Sequence, residues 1–76
     1  MIIIKYFGAV ADIMQKKEEQ FRTMDSLYEL QSEIESQYPE IKTIRYSLAL
    51  NQSIVKEDAE LNDNDEIALL PPFAGG

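Results

Sequence analysis

The residues best suited to chemistry stand at the end of the chain, where Leu70-Pro71-Pro72-Phe73-Ala74-Gly75-Gly76 closes a 76-residue sequence. The sequence contains no cysteine and no histidine. Disulfide frameworks, zinc-finger spacings and thiol or imidazole catalysis are therefore excluded, and chemistry falls to carboxylates, hydroxyls, lysines or the chain ends. Pro71 and Pro72 each fix φ, remove an amide donor and favour an extended polyproline conformation. A strand cannot continue through them, so residues 71–76 are expected to project from the body. Phe73 is a bulky anchor on that projection. Gly75 and Gly76 carry no side chains, so they suit a channel too narrow for any Cβ. Six extended residues reach at most roughly 20 Å, enough to present a terminal carboxylate deep inside another protein. A frayed end would be polar and loose. This one is stiff and carries a phenylalanine, which favours a functional reading.

The other candidates read as structural. Glu29, Glu33 and Glu35 are expected to form a solvated helix face. Asn62, Asp63, Asn64, Asp65 and Glu66 invite a calcium reading, but they lack the alternating ligands, central glycine and closing bidentate glutamate of an EF-hand loop, and a turn is expected. Tyr6 and Tyr38 fit the edge of a core, and Lys56 is an exposed loop charge. No metal site is expected.

Composition narrows the class. Seven basic against fourteen acidic residues give 7 − 14 = −7, which argues against a protein that grips nucleic acid through phosphates. Hydrophobic residues make up 45 %, a globular share too rich for a disordered chain. The longest apolar run, Met1 to Ile4, is too short to span a membrane. No basic stretch precedes it, so no signal peptide is expected and a cytoplasmic location is the default. A domain of this size hides only about 60 % of its unfolded surface, so its core must pack well without staples.

The elements that position the tail follow from periodicity. Ile2-Ile3-Ile4-Lys5-Tyr6-Phe7, stopped by Gly8, reads as a strand with Ile2, Ile4 and Tyr6 on one face. Ile3, Lys5 and Phe7 then face outward, because Lys5 is costly to bury. Val10, Ile13 and Met14 predict a short helix over 9–15. Lys16-Lys17-Glu18-Glu19 reads as a solvated turn, and 20–24 as a second strand with Phe21 inward. Ser26 and Glu29 form a capping box that starts a helix with Leu27, Leu30 and Ile34 as its core stripe. Pro39 ends that helix at Tyr38. Strands are expected over 47–51 and 53–55, joined by a tight turn at Asn51-Gln52. A turn over 61–65 leads into a last strand, 66–70, with Ile67 and Leu69 inward. The pattern alone gives an α+β domain over 1–70, its helices on one face of a mixed sheet of about five strands, with the first and last strands side by side. On the outer face, Ile3, Phe7, Ala49, Ala68 and Leu70 would form an apolar patch beside the tail, the kind of surface that marks a partner interface. The net charge would steer the chain towards basic partner surfaces.

The tail and the element order together closely resemble the small subunit of molybdopterin synthase, a family of ubiquitin-like sulfur carriers with the β-grasp fold. Members end in Pro-Pro-x-x-Gly-Gly, matched by Pro71, Pro72, Gly75 and Gly76. Further matches are the opening strand, the Ala49-Leu50-Asn51-Gln52 hairpin and residues 61–68, so the likeness covers essentially the whole chain. Asn64 departs from the glycine of many relatives, but asparagine tolerates left-handed dihedrals.

The resemblance implies that Gly76 is adenylated by a ubiquitin-activating-like enzyme using ATP and Mg²⁺, then converted to a thiocarboxylate by a sulfurtransferase or persulfide donor. Pro71, Pro72, Phe73, Ala74 and Gly75 would insert it into the large synthase subunit. There its sulfur would build the dithiolene of molybdopterin from cyclic pyranopterin monophosphate. By the same resemblance two small subunits flank a dimer of large ones. The lone chain would bind no cofactor and hold no side-chain catalyst, acting as the sulfur-donating subunit of a transferase. The competing readings are a sulfur carrier for thiamine thiazole synthesis, which usually lacks the double proline, a ubiquitin-like protein modifier, and a β-grasp interaction module without chemistry.

Overall fold

The computed structural model describes residues 1–72; the expectations for Phe73, Ala74, Gly75 and Gly76 lie outside the described residues. Among the described residues five strands make one mixed sheet: β1 (Ile2–Tyr6), β2 (Glu18–Phe21), β3 (Ser47–Leu50), β4 (Ser53–Val55) and β5 (Glu66–Leu70), in the order β2-β1-β5-β3-β4. β1 and β5 run parallel in the middle, with Ile4 opposite Ile67 and Tyr6 opposite Leu69. The other pairs are antiparallel. This is the β-grasp arrangement: α1 (Gly8–Met14), α2 (Leu27–Gln37) and a short 3₁₀ helix (Pro39–Thr43) supply the second layer.

The inner face of the sheet is dry. Ile2, Ile4, Ile67 and Leu69 are fully buried against Val10, Leu27, Leu30, Ile34 and Ile41. Each such side chain contributes roughly 1.5–3 kcal/mol by leaving water. Alternation in β1 and β5 falls as the sequence predicts, because the period of two puts every second residue on this face. Ser26 caps α2 by accepting the Glu29 N–H at 3.2 Å. The hairpin turn carries positive φ at both Asn51 (48°) and Gln52 (74°), the geometry that matches the twist of two paired strands. Asn64 also takes a left-handed φ of 72°.

Several expectations need correction. β2 begins at Glu18 and ends at Phe21, so part of the charged cluster is strand and residues 22–24 are not. The register explains both ends: Lys5 stands opposite Glu18, and Ile2, the first residue of β1, opposite Phe21. Beyond Phe21 no strand remains to pair with. In α1, Ala11 packs against the core with Val10 and Met14, while Ile13 is only half-buried. Leu61, expected in a turn, is buried, its N–H donated to the Asp25 carbonyl at 3.1 Å. The 3₁₀ helix, started by Pro39 and burying Ile41, was not predicted. Glu35 is not simply solvated, because it accepts the Tyr46 hydroxyl at 2.5 Å. Burial, and then this bond, push the Tyr46 phenol up to about 12.

Candidate functional site

The site is built where β5 stops. Along Glu66–Leu70 the strand is paired on both sides, with β1 and with β3, up to Leu70 opposite Ser47. The Phe7 N–H is donated to the Leu69 carbonyl at 3.3 Å, the last hydrogen bond on the β1 side. Pro71 and Pro72 then offer no N–H, and strand geometry ends at Leu70. The chain is thus released from the centre of the sheet rather than from an edge, at the end where β1 turns into α1. A groove of about 550 Å³ flanks the two prolines, with Arg45, Tyr46 and Ser47 on its wall.

The sheet's outer face leads to this point. The register places Lys5, Ala68, Ala49 and Ile54 in one row across four strands. Phe7 and Leu70 follow at the tail end of the face, and Ile3 lies at the other end beside Glu66. All five residues predicted for the patch, Ile3, Phe7, Ala49, Ala68 and Leu70, therefore share this face. The patch differs from the expected one in three ways. Ala49 is only 4 % exposed, because a methyl group between Ala68 and Ile54 is shaded by the surrounding sheet. Lys5 and Glu66 form an ion pair at 3.2 Å that separates Ile3 from the rest. A partly exposed pair of this kind contributes about 0–1 kcal/mol and is easily given up. Ile54, which the sequence reading left out, is 52 % exposed and extends the face, while Phe7 is 45 % exposed at the tail. Its signal was available: Ile54 alternates with Val55 in a three-residue strand, and one of the two must face outward.

Side-chain chemistry elsewhere is committed to holding the body together. Glu19 accepts from the hydroxyls of Tyr6 (2.5 Å) and Tyr38 (3.4 Å), and Lys16 donates to Tyr38 at 3.0 Å. Burial, then the Glu19 bond, drive the Tyr6 phenol far above its usual range, so it stays a donor. At the opposite end of the sheet Asp65 accepts the Asn62 N–H at 2.8 Å and the Asn51 amide at 3.1 Å, which lower its carboxyl in that order. Asp63 accepts from the amino group of Met1 and from Thr23, and is lowered chiefly by the first. The acidic turn spends its oxygens on its own backbone, on the Asn51 turn, on Thr23 and on the amino group of Met1. Among the described residues no group of three acidic side chains is placed to hold a metal ion, and no helix is long and apolar enough to cross a membrane.

Comparison with known proteins agrees with this geometry. The model of the ThiS family matches residues 4–76. The molybdopterin synthase sulfur carrier subunit of Mycobacterium tuberculosis is 31 % identical, over 96 % of this chain and 94 % of the relative. Among solved structures, a chain from the complex of subunits 1 and 2 of molybdopterin-converting factor of Helicobacter pylori is similar with a TM-score of 0.75 and 26 % identity, covering 99 % of this chain and 97 % of that one. The solution structure of small archaeal modifier protein 1 from Methanosarcina acetivorans shares the fold, with a TM-score of 0.85 at 18 % identity over 99 % and 95 % of the two chains.

Proposed function

The chain belongs to the ThiS family, and on that premise we propose that it is the sulfur carrier subunit of a molybdopterin synthase. The observation that carries this reading is the release of the chain from the middle of the sheet by Pro71 and Pro72, next to a face that ends in Phe7 and Leu70. A body without cysteine or histidine offers no thiol or imidazole, which is consistent with chemistry at the terminal carboxylate.

The chemistry runs in balanced steps. A carboxylate is a poor electrophile, so Gly76 first attacks the α-phosphorus of ATP, bound with Mg²⁺ by an activating partner, and pyrophosphate leaves. The acyl-adenylate now has a good leaving group. The outer sulfur of a donor persulfide adds to the acyl carbon and AMP departs. A second thiol on the donor side cleaves the resulting S–S bond, which closes a disulfide there and frees a thiocarboxylate on Gly76. Its sulfur is a soft nucleophile. Inside the large subunit it attacks an oxygen-bearing carbon of cyclic pyranopterin monophosphate. The C–O bond at that carbon breaks, and its oxygen leaves with the electron pair and a proton from an acid group of the large subunit. Water then hydrolyses the thioester link. The sulfur stays on the product and Gly76 regains a carboxylate. Two deliveries make a dithiolene. This chain supplies the sulfur and its reach, and the large subunit supplies acid–base groups. The mycobacterial relative, a molybdopterin synthase sulfur carrier subunit, and the two-subunit Helicobacter complex support a large-subunit partner.

Reach makes the test sharp. Deleting Gly76, or adding one residue after it, displaces the reacting atom by roughly 3.3–3.6 Å. Either change is expected to abolish sulfur delivery in a reconstituted synthase while the circular dichroism of the body stays native. Retained delivery in either variant contradicts the role given to that carboxylate.

A further inference from the structure

Gly8, two residues past the end of β1 and the first residue of α1, has a φ of +52°, a left-handed value that residues other than glycine and asparagine rarely adopt. A second demand falls on the same position. A Cβ built on Gly8 would lie 2.9 Å from Cγ of Pro71 and 3.8 Å from its Cβ and Cδ. The Pro71 ring therefore rests on the bare Cα of Gly8. This contact gains weight from what Pro71 lacks. Upstream, β5 is registered by the hydrogen bond that Phe7 N–H donates to the Leu69 carbonyl and by pairing of Leu70 with Ser47; Pro71 and Pro72 have no N–H with which to extend that ladder.

From this we propose that Gly8 is a positioning residue for sulfur delivery: it is the seat that sets the direction in which the tail leaves the body. The proposal rests on the sulfur-carrier reading above and adds the part of the body that aims the carrier. A proline ring is closed onto the backbone, so a methyl group pushed against Cγ moves the main chain once the slack in the ring pucker is used. Leverage does the rest. Five residues beyond Pro71 span at most roughly 17 Å, so a tilt of about 10° at Pro71 moves the terminus by up to about 3 Å. Misplacing a reacting group by about 1 Å can cost on the order of a hundredfold in rate.

The test separates the seat from the backbone angle. Gly8→Asn keeps a residue that tolerates positive φ but adds the Cβ; Pro71→Ala removes Cγ. The four chains (wild type, each single variant and the double) are loaded chemically as thiocarboxylates and assayed with large subunit and precursor. The expected result is a fall of at least tenfold in kcat at saturating large subunit for Gly8→Asn, with partial recovery when Pro71→Ala is added. An unchanged kcat for Gly8→Asn, or a loss that Pro71→Ala does not relieve, overturns the proposal, since glycine would then serve the turn alone. A urea-denaturation cycle on the same four chains reads the contact without any activity. It is expected to show the folding equilibrium of Gly8→Asn recovering severalfold in the double variant, and strictly additive changes overturn the seat. A wild-type chain that delivers no sulfur contradicts the carrier reading itself, and the denaturation cycle then decides the contact by itself.

Discussion

The two ends of the sheet are closed by different physics. At the end where β1 and β5 begin, polar side chains tie the turns together: Asn51 donates to Asp65 and accepts from the Glu66 N–H at 2.9 Å, Asp65 accepts from Asn62, and Asp63 holds Thr23 and Met1. At the end where β5 finishes, the hydrogen-bond ladder of β5 runs out among the described residues. Two prolines follow Leu70, one of them seated on a glycine, next to a half-exposed phenylalanine. Directional bonds fix a loop in one place, whereas apolar contact leaves a segment guided but free to enter another molecule. Polar bonds near this end, from Tyr6 to Glu19 and from Tyr46 to Glu35, belong to the flanking elements, and among the described residues none of the hydrogen bonds ties Pro71 or Pro72.

If this contrast is right, changes at the two ends should separate association from stability. The larger effect belongs to the tail end. Phe7→Asp is expected to weaken binding to the large subunit by about 2 kcal/mol, roughly thirtyfold, as the loss of a buried apolar anchor does. Because Phe7 is already half-exposed, the unfolding midpoint should hardly move. Calorimetric titration checks the first part and thermal unfolding the second; unchanged affinity would remove the outer face from the interface.

The smaller effect belongs to the turn end and is read against pH. Bonds from Asn62 and Asn51 hold the Asp65 carboxyl below its ordinary value of 3.8. A lowered folded-state value means that the stabilisation is present above that ordinary value and is lost as pH falls through the folded one. Asp65→Asn should therefore be less stable than the wild type at neutral pH and converge with it in strong acid, with sulfur delivery unaffected. A difference that persists at the lowest pH would show that the carboxylate's charge is not what closes the turn.

What the sequence revealed, and what it hid, follows the same division. The faces of β1, β5 and α2 were legible because burial repeats at two and at three-to-four residues, and the tail because proline and glycine act locally. The features that escaped depend on neighbours distant in sequence. Glu18 and Glu19 look like a solvated turn until β1 lies beside them. Ala49 reads as open surface until Ala68 and Ile54 flank it. Ile41 needed the space beside α2 to become core. Gly8 reads as a strand stop, and its second role appears only when the chain returns 63 positions later to set Pro71 on it (71 − 8 = 63).

The group carried by Gly76 is read most directly by intact-mass spectrometry of the chain recovered from its native cell while cofactor synthesis is active. The expected spectrum contains a species heavier by the difference between one sulfur and one oxygen, with the change confined to the C-terminal peptide. A chain of unaltered mass would contradict the account, as would one found joined through its terminus to lysines of other proteins.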